Sequence, residues 1–379
     1  MAFNMESVTK EMMAAITKKL TNLNHLNIIV AGKTGVGKST LINAVFREQL
    51  TETGIGRPVT THMRKIEKPG FPLSVYDTRG FELGKVVQNE VKKEILDTIN
   101  QGIASKEINQ MIHCIWYCIN TTSNRIEPEE INWLKELTNA NQAQQVPVIV
   151  VLTQAISNPN AEKMKKLLLE ENLAVAQIVP VLAQDYEIDA SFTKKAYGLD
   201  TLIQIMGHCL PEELMDTLQN VQIASLAEKK RHARKAIQVA ALAAASEGVV
   251  PIPLADSVMI VPTQISMIAS ITVIFGFDVN KSILGALLSS TIGASGATIL
   301  GRTVSSNLLK LLPGAGSVAG GAISASTAAA ITYALGEAYL LVMELVFTGK
   351  LQLTDINSKK GKKVMAEAFK QQLKLRKTK

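Results

Sequence analysis

Apolar positions recur at three- and four-residue spacings near the start of the chain, through Met5, Val8, Met12, Ala15, Ile16, Leu20 and Leu23. That period predicts an amphipathic helix within residues 1–24, expected to pack on the domain that follows it. Short apolar runs come next, at Asn27–Val30, Leu73–Tyr76, Met111–Ile119, Pro147–Leu152 and Ile178–Leu182. Helical periods separate several of them, at Val86–Ile99, Pro128–Leu137 and Ala161–Asn172. Strands alternating with helices predict an α/β domain over residues 25–210, its mostly parallel sheet covered on both faces. From Pro211 to Val239 the pattern reads as one long helix turning from polar to apolar, a connecting element over 211–245. After Ala240 the residues Ala, Gly, Ser, Leu and Ile dominate as far as Phe347, which predicts an all-α domain over 246–349. No fixed period runs through it, so it is not a repeat array.

Composition sharpens this division. At 379 residues the chain exceeds one ordinary core, and 47% hydrophobic residues suffice for two. The formal net charge is +7, but residues 350–379 hold ten Lys/Arg against two acids, a net of +8. The basic character therefore belongs to a tail, which is either a contact for an anionic membrane or RNA, or simply solvated. Three cysteines, Cys114, Cys118 and Cys209, make no even framework, and the first two lie in an apolar strand as small hydrophobes. Residues 1–20 carry charges throughout and lack a long apolar run, so no signal peptide is read there and a cytoplasmic location is expected.

The most specific chemistry lies in Gly32-Lys33-Thr34-Gly35-Val36-Gly37-Lys38-Ser39, which fits G-x-x-x-x-G-K-[ST] between a strand and the helix Ser39–Phe46. The glycines allow backbone N–H groups to turn inward around phosphates, and the helix N-terminus adds positive potential. Gly32, Lys33, Thr34, Gly35, Val36, Gly37, Lys38, Ser39 and Thr40 are thus the expected phosphate contacts, with Lys38 on the β and γ phosphates and Ser39 on Mg²⁺. About forty residues on, Asp77-Thr78-Arg79-Gly80 ends an apolar strand with D-x-x-G. Asp77 is expected to hold Mg²⁺ through water, and the Gly80 N–H to approach the γ phosphate. Between the two motifs lies Val59-Thr60-Thr61-His62. A threonine there can close over Mg²⁺ when the γ phosphate is present; Thr60 is preferred, with Thr61 its competitor.

These motifs, in this order, resemble the Era-like, translation-factor-related class of P-loop GTPases. The resemblance is nearest to GTPases that carry a YcjF-type hydrophobic helical domain at the C-terminus. It rests on His113–Asn120 with Asn124–Glu127, on Pro251–Asp256 opening the second domain, and on Lys310–Ser317 and Thr332–Gly336. It spans roughly residues 25–345 and implies GTP and GDP as ligands with Mg²⁺, and slow GTP hydrolysis that controls the helical domain.

Two positions depart from the pattern. The base-reading motif, Asn/Thr-Lys-x-Asp, is here Thr153-Gln154-Ala155-Ile156. The missing aspartate would accept two hydrogen bonds from guanine, and sites built on such bonds discriminate strongly. Thr153 and Gln154 remain as base-loop contacts, with Ser157 or Asn158 as substitute acceptors. In Leu182-Ala183-Gln184 the backbone of Ala183 can still meet the base. Guanine preference accordingly follows from the resemblance, with adenine or mixed use the alternative. The second departure is Phe81, where many relatives place a water-orienting glutamine. Phenylalanine cannot orient water, so turnover is expected to need Arg79, Glu82, His62 or a group from a partner chain.

Charge-free stretches in the second domain, Ser257–Phe277, Ser282–Gly301 and Leu311–Gly336, have bilayer lengths. Their content is marginal: seven of the twenty residues in Ser282–Gly301 are Leu or Ile and the rest are small. Small residues at four-residue spacing suit close helix packing in lipid or in a compact bundle. Basic clusters at Lys229–Lys235 and Lys359–Lys363 bracket the domain. Membrane association from the cytoplasmic side and a soluble, oligomerising bundle both remain open. Two other functions stand as alternatives: an RNA- or ribosome-associated GTPase, for which no recognisable nucleic-acid module is present, and a membrane-remodelling scaffold with residual hydrolysis. The protein partner is not named by the sequence.

Overall fold

The computed structural model describes residues 5–48, 50, 55–60, 62–78, 84–246, 262–292 and 325–375. They fall into two compact units, residues 23–228 and a second unit that joins residues 1–22 to 229–379. The first helix, α1 (Met5–Thr21), therefore belongs to the second unit.

The first unit begins with β1 (Leu26–Ala31), α2 (Lys38–Val45), β2 (Ile55–Pro58), β3 (Met63–Glu67), β4 (Leu73–Thr78) and α3 (Gly84–Ser105). It continues with β5 (Cys114–Asn120), α4 (Pro128–Ala140), β6 (Val148–Thr153), α5 (Asn158–Glu170) and β7 (Gln177–Pro180). Seven strands form one sheet in the order β2-β3-β4-β1-β5-β6-β7. From β4 to β7 all pairings are parallel, as the alternating pattern predicts. β2 and β3 add an antiparallel edge that the sequence reading did not contain. Their sequences, Ile-Gly-Arg-Pro and Met-Arg-Lys-Ile-Glu, are short and mix charged with apolar residues, so neither reads as an apolar run.

Side-chain alternation builds two cores, one on each face. Leu26, Ile28 and Val30 of β1 and Cys114, Trp116 and Cys118 of β5 face one, under α2. Ile29, Ile115, Tyr117 and Ile119 face the other, under α3 and α4. Burial on both sides explains why these strands read as continuous apolar runs. Trp116 stacks on Phe46 at 5.6 Å between ring centroids, a pairing worth about 0.5–1.5 kcal/mol beyond area burial.

After β7 comes an unforeseen hairpin, β8 (Tyr186–Asp189) and β9 (Phe192–Lys194), then α6 (Leu199–Cys209) and α7 (Met215–Val221). The expected continuous helix over Pro211–Val239 is broken. Residues Gln222–Ser225 interrupt it, and α8 (Leu226–Ser246) starts afresh. The break is built by strand-like bonding to the end of α2. The Arg47 N–H donates to Val221 O at 2.8 Å and the Ile223 N–H to Val45 O at 2.7 Å. Gln222, fully buried, donates to Ser225 O at 3.0 Å and accepts the Ser225 N–H at 2.8 Å.

In the second unit, α9 (Pro262–Phe275), α10 (Lys281–Ile292), α11 (Ala325–Phe347) and α12 (Lys359–Leu375) pack with α1 and α8. α1 lies against α9 and α10, not on the nucleotide-type domain as expected. Its stripe of Met12 and Ile16 is buried there, because α9 and α10 offer an apolar surface and the two faces of the sheet already have their helices. Of the charge-free stretches, Ser257–Phe277 yields the fourteen-residue α9, and Ser282–Gly301 yields most of α10 before it leaves the described residues. Pro251–Asp256 and Lys310–Ser317 lie outside the described residues. Among those described, one helix, Ala328–Phe347, is long and apolar enough to cross a membrane, with mean hydropathy 1.5. Most of it is buried in the unit: Tyr339 and Thr272 share a hydrogen bond of 2.7 Å, and Glu337 and Glu344 pair with Arg234 and Lys230 of α8.

Candidate nucleotide site

Parallel register sets the site. Val30 pairs with Asp77 across β1 and β4 and with Trp116 across β1 and β5. The carboxyl ends of these strands therefore stand side by side, and the loop after β1 opens beside Asp77. Gly37, at φ 94°, caps α2 in a conformation that a side chain would strain. At Gly32 an added Cβ would lie 2.4 Å from the Cys118 carbonyl oxygen, so the loop can pass β5 only without a side chain.

The Lys38 amine turns back over this loop, donating to Gly32 O at 2.9 Å and Lys33 O at 3.0 Å. Its charge is thus held within the loop's curve. Ser39 and Thr40 are exposed in the first turn of α2, as are Thr34 and Gly35 ahead of it, while Val36 is buried. The Lys33 side chain points away from the loop to Glu130 of α4 at 2.8 Å, and Tyr117 also donates to Glu130.

Asp77 ends β4. Arg64 of β3 donates to its Oδ2 at 3.3 Å, and Oδ1 is buried without a partner. Burial raises its carboxyl above the usual range, while Lys38 and then Arg64 pull it back. An orphaned carboxylate oxygen near a lysine, with an exposed serine hydroxyl at the helix start, fits the oxygen donor set of Mg²⁺. Gly80 lies outside the described residues, as do Thr61, Arg79, Phe81 and Glu82.

Thr60 is held by groups that sequence reading missed. Its hydroxyl donates to the Glu94 carboxylate of α3 and accepts the Met63 N–H at 3.1 Å. The His62 N–H donates to Glu94 at 3.2 Å, and His62 Nε2 meets Glu90 at 3.1 Å. Glu90 and Glu94 are one helical turn apart, so they share a face of α3. That spacing is visible in the sequence; its target, about thirty residues upstream, is not.

The base loop is ordered by hydrogen bonds. Thr153 is buried and donates to Val36 O at 2.5 Å, which ties β6 to the phosphate loop. Gln154, at φ 52°, donates to Gly35 O at 3.2 Å, so it covers the loop as the missing lysine would. Thr121 donates to Gln154 O at 2.8 Å, Tyr197 to Ala155 O at 2.7 Å, and Lys194 to Ile156 O at 2.6 Å. Ala183 is half-buried beyond β7. Lys194 and Tyr197, from the hairpin and its exit, were not foreseen, since nothing in the sequence ties them to a loop forty residues earlier.

Burial pushes the Cys118 thiol up to about 12 and the Cys114 thiol upward as well, so both behave as core hydrophobes, as expected.

Residues 22–203 match the septin family model, and residues 214–376 match the domain of unknown function DUF697. The chain thus carries a septin-type P-loop GTPase domain followed by a helical DUF697 domain. Septin-9 of Rattus norvegicus is 27% identical over 146 residues, which is 32% of this chain and 26% of that protein. Septin-4 of Macaca fascicularis is 29% identical over 170 residues, 38% of this chain and 34% of that protein. The chain therefore spans about a quarter to a third of the length of these relatives. Among solved structures, Cdc11 from Saccharomyces cerevisiae is similar at 17% identity and a TM-score of 0.31, over 51% of this chain and 95% of that one.

Proposed function

We propose that the chain is a GTP-binding switch with slow GTP hydrolysis, whose nucleotide state controls the helical domain. The observation that carries this reading is the complete phosphate loop at the carboxyl end of β1, with the Lys38 amine over it and Asp77 at the end of the neighbouring strand. Lys38 would bind the β and γ phosphates. Mg²⁺, held by Ser39 and, through water, by Asp77, would neutralise phosphate charge when bound. Thr60 and Gly80 would report the γ phosphate. Guanine is supported by the septin match and by the family resemblance. The unpermuted motif order supports an Era-like affiliation within the wider class.

Control of the helical domain has a physical basis in α2. The helix begins at Lys38 and ends against residues 221–223, which immediately precede α8. A shift of α2 on nucleotide exchange would be felt at the start of α8 through backbone bonds rather than side-chain contacts. Contact with a membrane from the cytoplasm, or association between copies, would involve the helical domain. The apolar helix Ala328–Phe347 supports either reading.

Purified protein should contain guanine nucleotide, and GTP should displace it at least about tenfold better than ATP, a difference of about 1.4 kcal/mol. Equal or ATP-favouring affinities would replace guanine with adenine. Hydrogen exchange in GTP-analogue and GDP states should differ in 55–62, in 84–95 and in 221–246. Changes confined to the first two segments would leave the helical domain merely tethered.

A further inference from the structure

We propose that the base site selects 6-oxopurines without reading the 2-amino group, so that it accepts GTP and ITP alike, and that Lys194 sets this selectivity. The inference rests on the proposed GTP binding and deepens it.

Guanine offers two donors on its Watson–Crick edge, N1–H and the 2-amino group, and one acceptor, O6. A site that reads the donors needs free acceptors. In this chain the usual carboxylate is replaced by Ile156. Most other acceptors of the loop already carry at least one bond. Thr153 O takes the Thr121 N–H at 3.0 Å, and Gln154 O takes the Thr121 hydroxyl and the Ile156 N–H at 2.7 Å. Ala155 O takes the Tyr197 hydroxyl. The Lys194 amine bonds two further candidates, Ile156 O and Asn158 Oδ1, each at 2.6 Å, and its positive charge beside them disfavours an approaching N–H. Ser157 Oγ caps α5, accepting the Asn160 N–H.

Donors, by contrast, remain. A lysine amine has three N–H bonds, and two are accounted for by Ile156 and Asn158. Lys194 also lies over the Tyr197 ring at 5.1 Å, which steadies its position beside the loop. The Ala183 N–H makes no hydrogen bond among the described residues. Donors match the O6 of guanine or hypoxanthine and oppose the 6-amino group of adenine, itself a donor. Lys194 is a positioning residue here: by holding the loop's acceptors it withdraws them from the base.

Competition of GTP, ITP and ATP against a fluorescent GTP analogue tests this on the full chain. Wild-type protein should bind ITP within about threefold of GTP, and ATP at least tenfold more weakly, since one unmade bond to a buried group costs about that much. Lys194→Ala frees Ile156 O and Asn158 Oδ1, so the preference for GTP over ITP should rise about fivefold, the worth of one ordinary hydrogen bond. Ile156→Asp should raise it by at least as much. A merely structural lysine would weaken GTP and ITP equally and leave their ratio unchanged, and that result overturns the proposal. A wild-type preference for GTP over ITP of tenfold or more overturns it as well, while leaving guanine binding intact. Absence of binding by all three nucleotides would defeat both this inference and the function it rests on.

Discussion

The Thr60 hydroxyl donates its hydrogen bond to the Glu94 carboxylate of α3, and the His62 N–H converges on the same carboxylate. The segment that should respond to a γ phosphate is thus fastened to the helix that follows the D-x-x-G loop. Closing Thr60 over a metal would require this bond to be exchanged. Charge-assisted bonds of this kind are worth about 1.5–3 kcal/mol when made, less where half-exposed as here. Glu94→Ala should therefore strengthen binding of a non-hydrolysable GTP analogue in Mg²⁺ by roughly three- to tenfold, with little change for GDP. Titration calorimetry reads both. Weaker binding of the analogue would mean that Glu94 positions Thr60 for the closed state.

Lys38 is the one cation curved over the phosphate loop among the described residues, and its partners there are carbonyl oxygens that phosphate can replace. Lys38→Ala should lower affinity for GTP by about a hundredfold or more, as loss of a buried charge-assisted contact does. Ser39→Ala should leave most binding in EDTA intact and reduce the gain from Mg²⁺. Unchanged GTP affinity in Lys38→Ala would remove the core of the functional reading.

His113 gives the first unit an acid-sensitive point. Its Nδ1 accepts the Asn27 N–H at 3.0 Å while Nε2 lies 2.9 Å from Ile108 O, so the neutral Nε2–H tautomer satisfies both partners. Burial lowers its pKa from 6.5 to about 4, against a smaller opposing effect of the bond to Ile108. The unfolded chain therefore binds the extra proton first. Stability is fully present above pH 6.5 and declines as pH falls towards 4, by about 3 kcal/mol in all. Urea unfolding at pH 7 and pH 4.5 should show this loss in wild type and a smaller one in His113→Gln. Equal losses in the two proteins would exclude His113 as the cause.

Hydrolysis should be slow. With Phe81 after the D-x-x-G there is no glutamine to orient water, and turnover on the order of 10⁻⁴ to 10⁻² s⁻¹ is expected, the range of unassisted switch GTPases. Specific activity should rise with protein concentration if a second copy supplies the missing group. Fast, concentration-independent turnover by a monomer would place that group in the same chain, and His62 is the first residue to replace.

The phosphate loop was legible because its eight residues are contiguous and each has a reason in backbone geometry. Apolar runs marked β1 and β4 to β7 because strands buried on both faces have no polar side to confuse the reading. Arg64 and Lys65 obscured β3, since two adjacent basic residues break the apolar run although the strand is paired on both sides. The break at Gln222–Ser225 was hidden for another reason: apolar residues continue through it, at Val221 and Ile223, and only the distant end of α2 makes it a turn. Thr60 stood out between the two phosphate motifs, but Glu94 could not be named as its hydrogen-bond partner, because a bond across thirty residues leaves no period. The stripe on α1 announced burial of Met12 and Ile16 without saying against what.

That last point bears on how the chain is made. α1 leaves the ribosome before the first unit, yet the helices it packs on, α9 and α10, come after it, so about 240 residues separate α1 from the start of α9. At synthesis rates of about 5–20 residues per second the delay is ~10–50 s. Throughout that interval Met12 and Ile16 lack their native cover while the intervening unit can already fold. The nascent chain therefore carries the apolar stripe of α1 without its native cover for that interval, and the second unit closes only after α9 and α10 have emerged.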